Sequence, residues 1–144
     1  MRRKLFLLIL IVSFLSSCDE EQVNERIPFA FVNQDLNLNL IQYQELRNIG
    51  GYIYIEEGID AGYKGLIVYH EGNGNYRAFE RACSFDPFSS CDPVEVDDSG
   101  LFMIHTCCNS TFNFNGNPTS GPASLDLVQY PTYLDGIYLK ITNN

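Results

Sequence analysis

Short segments rich in aromatic and β-branched residues, separated by turn sequences roughly every 8 to 12 residues, restrict what this chain can fold into. Such segments suit the pleated surface of a β-sheet, and glycine, asparagine and aspartate between them suit tight turns. Asp135 and Gly136 form the strongest hairpin sequence in the chain. The predicted strands are 29–32, 36–40, Tyr52–Ile55, 66–69, 76–80, 94–96, 101–104, 111–114, 128–134 and 137–142.

Helical patterns are nearly absent from the sequence. The best candidate is the short segment 43–48, which Gly50 and Gly51 would end because glycine suits the backbone of a helix C-cap. No segment shows the 3.6-residue periodicity of a long amphipathic helix. The chain of 144 residues is therefore predicted to form one all-β domain, a sandwich or a barrel of antiparallel strands.

The first residues have the pattern of a secretory signal. Basic residues 2–4 precede the apolar run 5–15, which is too short to span a bilayer comfortably. The sequence Leu-Ser-Ser-Cys that ends at Cys18 resembles a bacterial lipobox, in which the cysteine becomes the lipidated first residue. The expected organisation is a signal peptide at 1–17, an acidic tether at 18–27 and a folded domain at 28–144.

The acidic run 19–21 directly after Cys18 has two interpretations. It resembles a tag with which some outer-membrane systems move lipoproteins to the cell surface, and it also fits a merely solvated stretch of the tether. We expect the chain in the cell envelope, lipid-anchored to a membrane. The outer membrane is favoured, with the domain facing either the periplasm or the surface.

Charge excludes several partners. The formal net charge is −9, and loss of residues 1–17, with three basic residues and no acidic one, makes it −12. Nucleic acid and anionic lipid need lysine and arginine clusters, which the sequence after residue 17 does not contain. Membrane attachment is therefore expected through the lipid on Cys18, and the sequence names no protein partner.

Outside the cytoplasm, unmodified cysteines tend to oxidise or to bind metal. Four cysteines other than Cys18 thus become the candidate functional residues. They lie at Cys83, Cys91, Cys107 and Cys108.

The stretch 105–123 carries a family resemblance. It joins a cysteine-bearing loop to an alternating segment, Thr-Phe-Asn-Phe, that would place both phenylalanines on one sheet face. It resembles the second cluster-binding loop of Rieske iron-sulfur domains, which reads Cys-Pro-Cys-His-Gly-Ser-x-Phe with a later Gly-Pro-Ala. The matching residues are Cys107, Cys108, Asn109, Ser110, Thr111, Phe112, Gly116, Gly121, Pro122 and Ala123.

The ligand positions of the family are altered in this chain. His105 falls where the family has its ligand cysteine, and Cys108 falls where it has its ligand histidine. Cys107 matches the middle cysteine of the motif. In the first loop Cys83 matches the ligand cysteine, but Phe85 stands where the family has its second histidine, and phenylalanine cannot bind iron.

The resemblance covers 66–142 and implies an antiparallel Rieske-like domain with a small inserted subdomain that carries the two loops. It also implies a 2Fe-2S cluster as cofactor. A Rieske cluster holds one iron by two cysteines and the other by two histidines, so the ligand set here is incomplete. One hypothesis is that an iron-sulfur cluster is nevertheless retained through Cys83, His105 and Cys108.

A second hypothesis adds Cys91 to those three residues and makes a Cys3His set, which zinc accepts. The spacing His-x-x-Cys between His105 and Cys108 is suitable, whereas the spacing between Cys83 and Cys91 is loose. Cys107 is the alternate ligand.

A third hypothesis pairs the cysteines as disulfides. A bond between the neighbours Cys107 and Cys108 is sterically poor, which leaves two connectivities open. Some Rieske domains carry an extra disulfide between their two loops. The resemblance therefore implies a bond between Cys107 and Cys91, and a bond between Cys83 and Cys108 would then close the vacated cluster site.

Catalysis has no support in the sequence. No nucleophile elbow, phosphate-binding loop or paired-carboxylate motif is present, and His70 is interpreted as a solvated residue at a hairpin end. The preferred expectation is a lipoprotein with a remodelled Rieske-like domain that acts as a binding or structural module and not as an enzyme. The alternative is an electron-transfer or metal-binding protein.

Overall fold

The computed structural model describes residues 27–143. The predicted signal peptide, the lipidated Cys18 and the tether up to residue 26 lie outside this range. The described part contains eleven short strands and a single 3-10 helix. The strands are β1 (Asn33–Asn37), β2 (Tyr52–Ile55), β3 (Leu66–Gly72), β4 (Asn75–Glu80), β5 (Glu95–Val96), β6 (Met103–His105), β7 (Ser110–Phe112), β8 (Pro118–Ser120), β9 (Gln129–Tyr130), β10 (Thr132–Asp135) and β11 (Tyr138–Thr142).

Three antiparallel sheets organise these strands, which confirms the all-β fold class. The first sheet has the order β1-β11-β10, the second β2-β3-β4-β9 and the third β5-β6-β7-β8. No sheet of the described range closes into a barrel. The second sheet is the middle layer, because its two faces contribute to two different hydrophobic clusters.

Alternation along β3 and β4 explains this layering. Leu66 and Val68 of β3 face the first sheet and pack in a cluster with Ile141 of β11. Ile67, between them, faces the third sheet together with Phe79 of β4. Because successive side chains of a strand point to opposite faces, an unbroken apolar run is what a strand buried on both faces requires.

The segment 128–134, predicted as one strand, is divided at Pro131. Strand β9 pairs with β4 in the middle sheet, and β10 pairs with β11 in the first sheet. Proline has no backbone N–H and cannot continue a hydrogen-bonded ladder, so the chain changes sheets at this residue. The single-strand prediction is therefore wrong, whereas the final hairpin between β10 and β11 is confirmed.

The first predicted strand, 29–32, is also corrected. Phe29 and Phe31 are largely exposed, and only Val32 makes an isolated bridge, with Ala61. The first strand, β1, instead begins at Asn33, directly after Val32, where pairing with β11 becomes continuous.

The predicted helix at 43–48 is present as the 3-10 helix Ile41–Arg47. Leu46 is its buried residue and packs in the first cluster. Gly50 has φ +83°, the left-handed conformation that glycine adopts readily after a helix.

A buried carboxylate fixes the end of β4. Glu80 is fully buried and accepts hydrogen bonds from the backbone N–H groups of Tyr63 (2.8 Å), Lys64 (2.8 Å) and Ala82 (3.1 Å). The Tyr130 hydroxyl donates a fourth bond of 2.8 Å. Burial and then the negative charge of Glu80 raise the pKa of the Tyr130 phenol. These four bonds tie the chain before β3, the end of β4 and β9 to one carboxylate.

Arg81 connects the middle sheet to the third sheet. Its Nε donates to the Val94 carbonyl (3.1 Å), and its guanidinium lies 4.5 Å from the centre of the Tyr54 ring. Tyr54 in turn accepts a hydrogen bond from the Val96 N–H at its hydroxyl (2.9 Å). These contacts fix the position of Arg81 against the third sheet, and Cys83 lies two residues further along the chain.

Candidate metal centre

Two loops bring the predicted ligands together. Cys83 lies in the first loop, which follows β4, and is part of the cluster between the second and third sheets. The second loop is the tip of the hairpin β6–β7, with His105 as the last residue of β6. Asn109 has φ +55° at this tip, and asparagine tolerates the left-handed backbone better than most residues. The turn thus directs Cys108 back toward the first loop.

Three donor atoms converge between the loops. Cys83 Sγ lies 3.8 Å from Cys108 Sγ, and His105 Nδ1 lies 3.1 Å from Cys108 Sγ. The donor atoms of all three residues lie within 4.8 Å of one another. One ion that binds all three would require distances of about 2.3 Å to sulfur and about 2.0 Å to nitrogen. The separations between the donors are of the size that such bonds produce.

Burial differs among the three residues. Cys83 and His105 are each only 2% exposed, whereas Cys108 is half-buried. Solvent therefore reaches the three donor atoms from the side of Cys108.

Burial changes the acid-base properties of these groups. It raises the pKa of the Cys83 thiol to about 11, and the neighbouring Cys108 acts in the same direction. Hydrogen bonds from the backbone of Phe85 and Asp86 to Cys83 oppose this change. These bonds stabilise the thiolate form of Cys83, which is the form that binds a metal ion.

Burial disfavours the charged form of the His105 imidazole. Burial lowers its pKa, while a hydrogen bond to the backbone of Asp92 and the charge of Asp86 raise it, and Lys64 lowers it again. The net direction is downward. A metal ligand must offer an unprotonated nitrogen, and Nδ1 is the nitrogen that faces Cys108.

The Gly-Pro-Ala sequence packs behind the second loop. Cys108 Sγ is hydrogen-bonded to the fully buried Ser110 hydroxyl (3.0 Å), which accepts a bond from the Ala123 N–H (3.1 Å). Gly121 allows this approach, because a Cβ there would lie 2.5 Å from the Asn109 carbonyl oxygen. Ser110 and Ala123, which are not among the three donor residues, thus hold the loop that carries Cys108 in place.

A disulfide joins the two loops. Cys91 and Cys107 are bonded, with their Cα atoms 6.3 Å apart and a separation of 16 positions in sequence. This confirms the disulfide that the resemblance implied. It also fixes the loop tips that carry the three donors.

The same bond corrects the proposed ligand sets. Cys91 is not a fourth ligand of a Cys3His site and Cys107 is not an alternate ligand, because a disulfide sulfur has no thiolate to offer. The bond between Cys83 and Cys108 that the disulfide hypothesis adds is not formed in this structure, since both are free thiols and 3.8 Å is far beyond an S–S bond. Spacing in sequence did not distinguish oxidised from free sulfurs.

The residues do not fit a Rieske cluster. That cluster takes four protein donors, two on each iron. In the described range the donor cluster has three members, and Phe85, which has no donor atom, stands where the resemblance places the fourth. A single ion fits the donor set, and a two-iron cluster does not.

The expectation for His70 is wrong. It is a buried residue of β3, stacked on Tyr76 with ring centres 4.5 Å apart, and its Nδ1 lies 3.1 Å from the Asn48 carbonyl oxygen. Strand β3 continues to Gly72, beyond the predicted end at residue 69, so His70 lies within the strand and pairs with Tyr76 of β4. His70 does not belong to the donor cluster.

Two supporting residues were not identified from sequence, namely Asp92 as a partner of His105 and Ser110 as a partner of Cys108. Ser110 was noticed only as part of the family pattern. Ser110 lies two residues after a candidate ligand and begins strand β7, and this position is the signal that could have identified it.

Comparison with known proteins adds no assignment. No protein-family model matches the chain, and a search of the curated proteins finds no match either. Across residues 27–143, no helix has the length and apolar character needed to cross a bilayer. The functional proposal accordingly depends on the geometry of the loops.

Proposed function

We propose that this chain is an envelope lipoprotein, anchored through Cys18, whose Rieske-like domain has exchanged its cluster for a single metal ion. Cys83, His105 and Cys108 bind the ion, and the protein acts as a binding module rather than as an enzyme. The observation that carries the proposal is the convergence of three donor atoms within 4.8 Å between two loops.

Zinc is the ion that suits these donors best. It binds cysteine sulfur and histidine nitrogen, and with three protein ligands it takes its fourth ligand from solvent. Two thiolates would offset the double positive charge, which matters because Cys83 is almost fully buried. The half-buried side at Cys108 is where a solvent ligand would enter.

The Rieske-like assignment is supported by the arrangement of the loops. Cys83 and Cys108, which match two ligand positions of the family, lie side by side. Cys91 and Cys107 form the inter-loop bond that the resemblance implies. The lipid anchor and the envelope location are supported by the sequence around Cys18 alone.

Zinc titration of the full chain tests the proposal. The protein is purified from the envelope fraction in detergent, with Cys83 and Cys108 as thiols and the Cys91–Cys107 bond intact. It should bind one zinc per chain. The bound ion should protect Cys83 and Cys108 from alkylation. Cys83→Ser and Cys108→Ser should each lose tight binding, whereas Phe85→Leu, which alters no donor, should keep it. Zinc binding that survives both cysteine variants, or no binding at all, would refute the proposal.

A second candidate function is a structural module without metal. It is favoured by the Cys91–Cys107 bond, which holds the loops together by itself. In that case the purified chain contains no stoichiometric zinc or iron, and both thiols react freely with an alkylating reagent whether or not zinc is present.

Attachment through Cys18 has its own test. Metabolic labelling with a fatty acid should mark the wild-type chain and leave Cys18→Ser unlabelled. The variant should also appear in the soluble fraction of the envelope. Labelling that persists in the variant would place the lipid elsewhere or refute the anchor.

A further inference from the structure

The two free thiols lie next to an oxidised pair, and this contrast points beyond metal binding. Cys91 and Cys107 already form a disulfide between the two loops. Cys83 and Cys108, which span the same two loops, remain thiols with their sulfurs 3.8 Å apart. A change of side-chain torsions that closes this gap to about 2.05 Å would allow a bond.

We infer that Cys83 and Cys108 form a thiol–disulfide exchange site for a small-molecule disulfide, and that the oxidised form of this site cannot bind metal. The two states share the same sulfurs, so they exclude each other. The metal part of this inference rests on the proposed zinc site, whereas the exchange part stands on the sulfur geometry alone.

Burial assigns different roles to the two sulfurs. Cys108 is half-buried at the solvent side of the cluster, so an incoming disulfide can reach it. Cys83 is 2% exposed and lies behind it, so a bulky disulfide cannot reach it first. Cys108 is therefore the attacking sulfur, and Cys83 is the resolving sulfur.

The steps balance with an external disulfide as the oxidant. Cys108 Sγ loses its proton to solvent and attacks one sulfur of the disulfide. A mixed disulfide forms on Cys108 and one small thiolate leaves. Cys83 Sγ then loses its proton to solvent and attacks Cys108 Sγ, which forms the intramolecular bond and releases the second thiolate. The protein loses two electrons and two protons, and the external disulfide becomes two thiols.

Oxidation would remove two of the three donors of the proposed metal site. A disulfide sulfur offers no thiolate, and His105 alone cannot hold an ion tightly. Conversely, a metal ion bound to both sulfurs would block the attack by Cys108. Metal occupancy and oxidation should therefore compete: a bound ion should slow oxidation, and oxidation should release the ion.

Oxidised glutathione is a suitable probe for the exchange. Full-length protein with the Cys91–Cys107 bond intact is incubated with it, and the products are identified by mass spectrometry of peptides. Wild type should acquire a bond between Cys83 and Cys108. Cys83→Ser should accumulate one glutathione on Cys108, because no resolving sulfur remains. Cys108→Ser should react at least tenfold more slowly, because its remaining thiol is buried.

Several results would overturn the inference. Equal reactivity of the two single variants would contradict the assigned roles. A bond from Cys83 or Cys108 to Cys91 or Cys107 would show that disulfides are reshuffled rather than that a separate site exists. An unreactive wild type under conditions where Cys91 and Cys107 stay bonded would also refute it.

Zinc separates this inference from the proposed function. With both correct, zinc added before glutathione should slow oxidation at least tenfold, and zinc should be released when oxidation is complete. If the wild type oxidises as predicted but binds no zinc, the exchange site stands and the metal proposal fails. If it binds zinc but never forms the Cys83–Cys108 bond, the metal proposal stands and the exchange site fails.

Discussion

Replacement of Glu80 by glutamine tests how the end of β4 is held. The carboxylate of Glu80 accepts bonds at Oε1 from the N–H groups of Lys64 and Ala82 and at Oε2 from the Tyr63 N–H and the Tyr130 hydroxyl. All four partners act as donors, so the group must act as an acceptor at both oxygens, as an ionised carboxylate does.

An amide keeps one acceptor and replaces the other by a donor. If its NH₂ group takes the position of Oε2, the hydroxyl of Tyr130 can rotate to accept, but the Tyr63 N–H loses its partner. If it takes the position of Oε1, two backbone N–H groups lose theirs. An unsatisfied buried N–H costs about 1–3 kcal/mol, and the remaining bonds lose their charge assistance. Relief from burying a charge acts in the opposite direction. We expect a net loss of about 2–3 kcal/mol for Glu80→Gln.

Urea denaturation of the full chain, followed by circular dichroism, measures this loss. With a slope of about 2 kcal/mol per molar urea, the midpoint should fall by about 1–1.5 M at an unchanged slope. Glu57→Gln is the matched control, because Glu57 is exposed and the substitution makes the same change in charge. The control should stay within about 0.5 kcal/mol of wild type. An equally or more stable Glu80→Gln would refute the reasoning, since burial of the charge would then outweigh its hydrogen bonds.

Three further predictions concern the same framework. Gly62→Ala should lower the free energy of unfolding more than Gly50→Ala, although the two glycines have nearly the same φ, +82° and +83°. A Cβ at residue 62 would lie 2.6 Å from a buried carboxylate oxygen of Glu80, whereas one at residue 50 meets nothing within 4 Å. Equal losses in urea denaturation would contradict this. Burial raises the pKa of the Tyr130 phenol above its ordinary value near 10, so the folded state holds that proton more tightly and stability should fall as the pH rises above about 10. Tyr130→Phe should show a shallower fall in melting temperature there, and parallel curves would count against the assignment. Double replacement of Cys91 and Cys107 by serine should remove about 3 kcal/mol in urea, and an unchanged midpoint would mean that the bond adds no net stability.

Local patterns predicted most strands of this fold but not their arrangement. The strands Tyr52–Ile55 and 76–80 were predicted nearly to the residue, because side-chain type and turn sequence act over a few positions. The pairing of β1 with β11 joins opposite ends of the described chain, and the division at Pro131 sends neighbouring strands to different sheets. Such partnerships depend on which apolar faces meet in three dimensions, and no short segment encodes that.

The donor cluster was predicted more completely than the surroundings that position it. Cys83, His105 and Cys108 were identified because cysteine and histidine are chemically conspicuous, and the structure places them together. Cys91 was assigned both as a ligand and as a disulfide partner, since the sequence does not encode which sulfurs lie within bonding distance. The contact of Ser110 with Cys108 depends on the packing of the chain behind the hairpin, which local pattern does not predict.

The first loop is held at both ends without any ion. At its start, Ala82 donates to the buried carboxylate of Glu80, and Cys83 follows directly. At its far end, Cys91 is bonded to Cys107 in the second loop. Cys83 therefore lies between two restraints that do not involve its own sulfur. Because the framework sets the donor positions in advance, an ion would bind without ordering the loop, and the sulfur pair would remain free to change its chemistry without unfolding the domain.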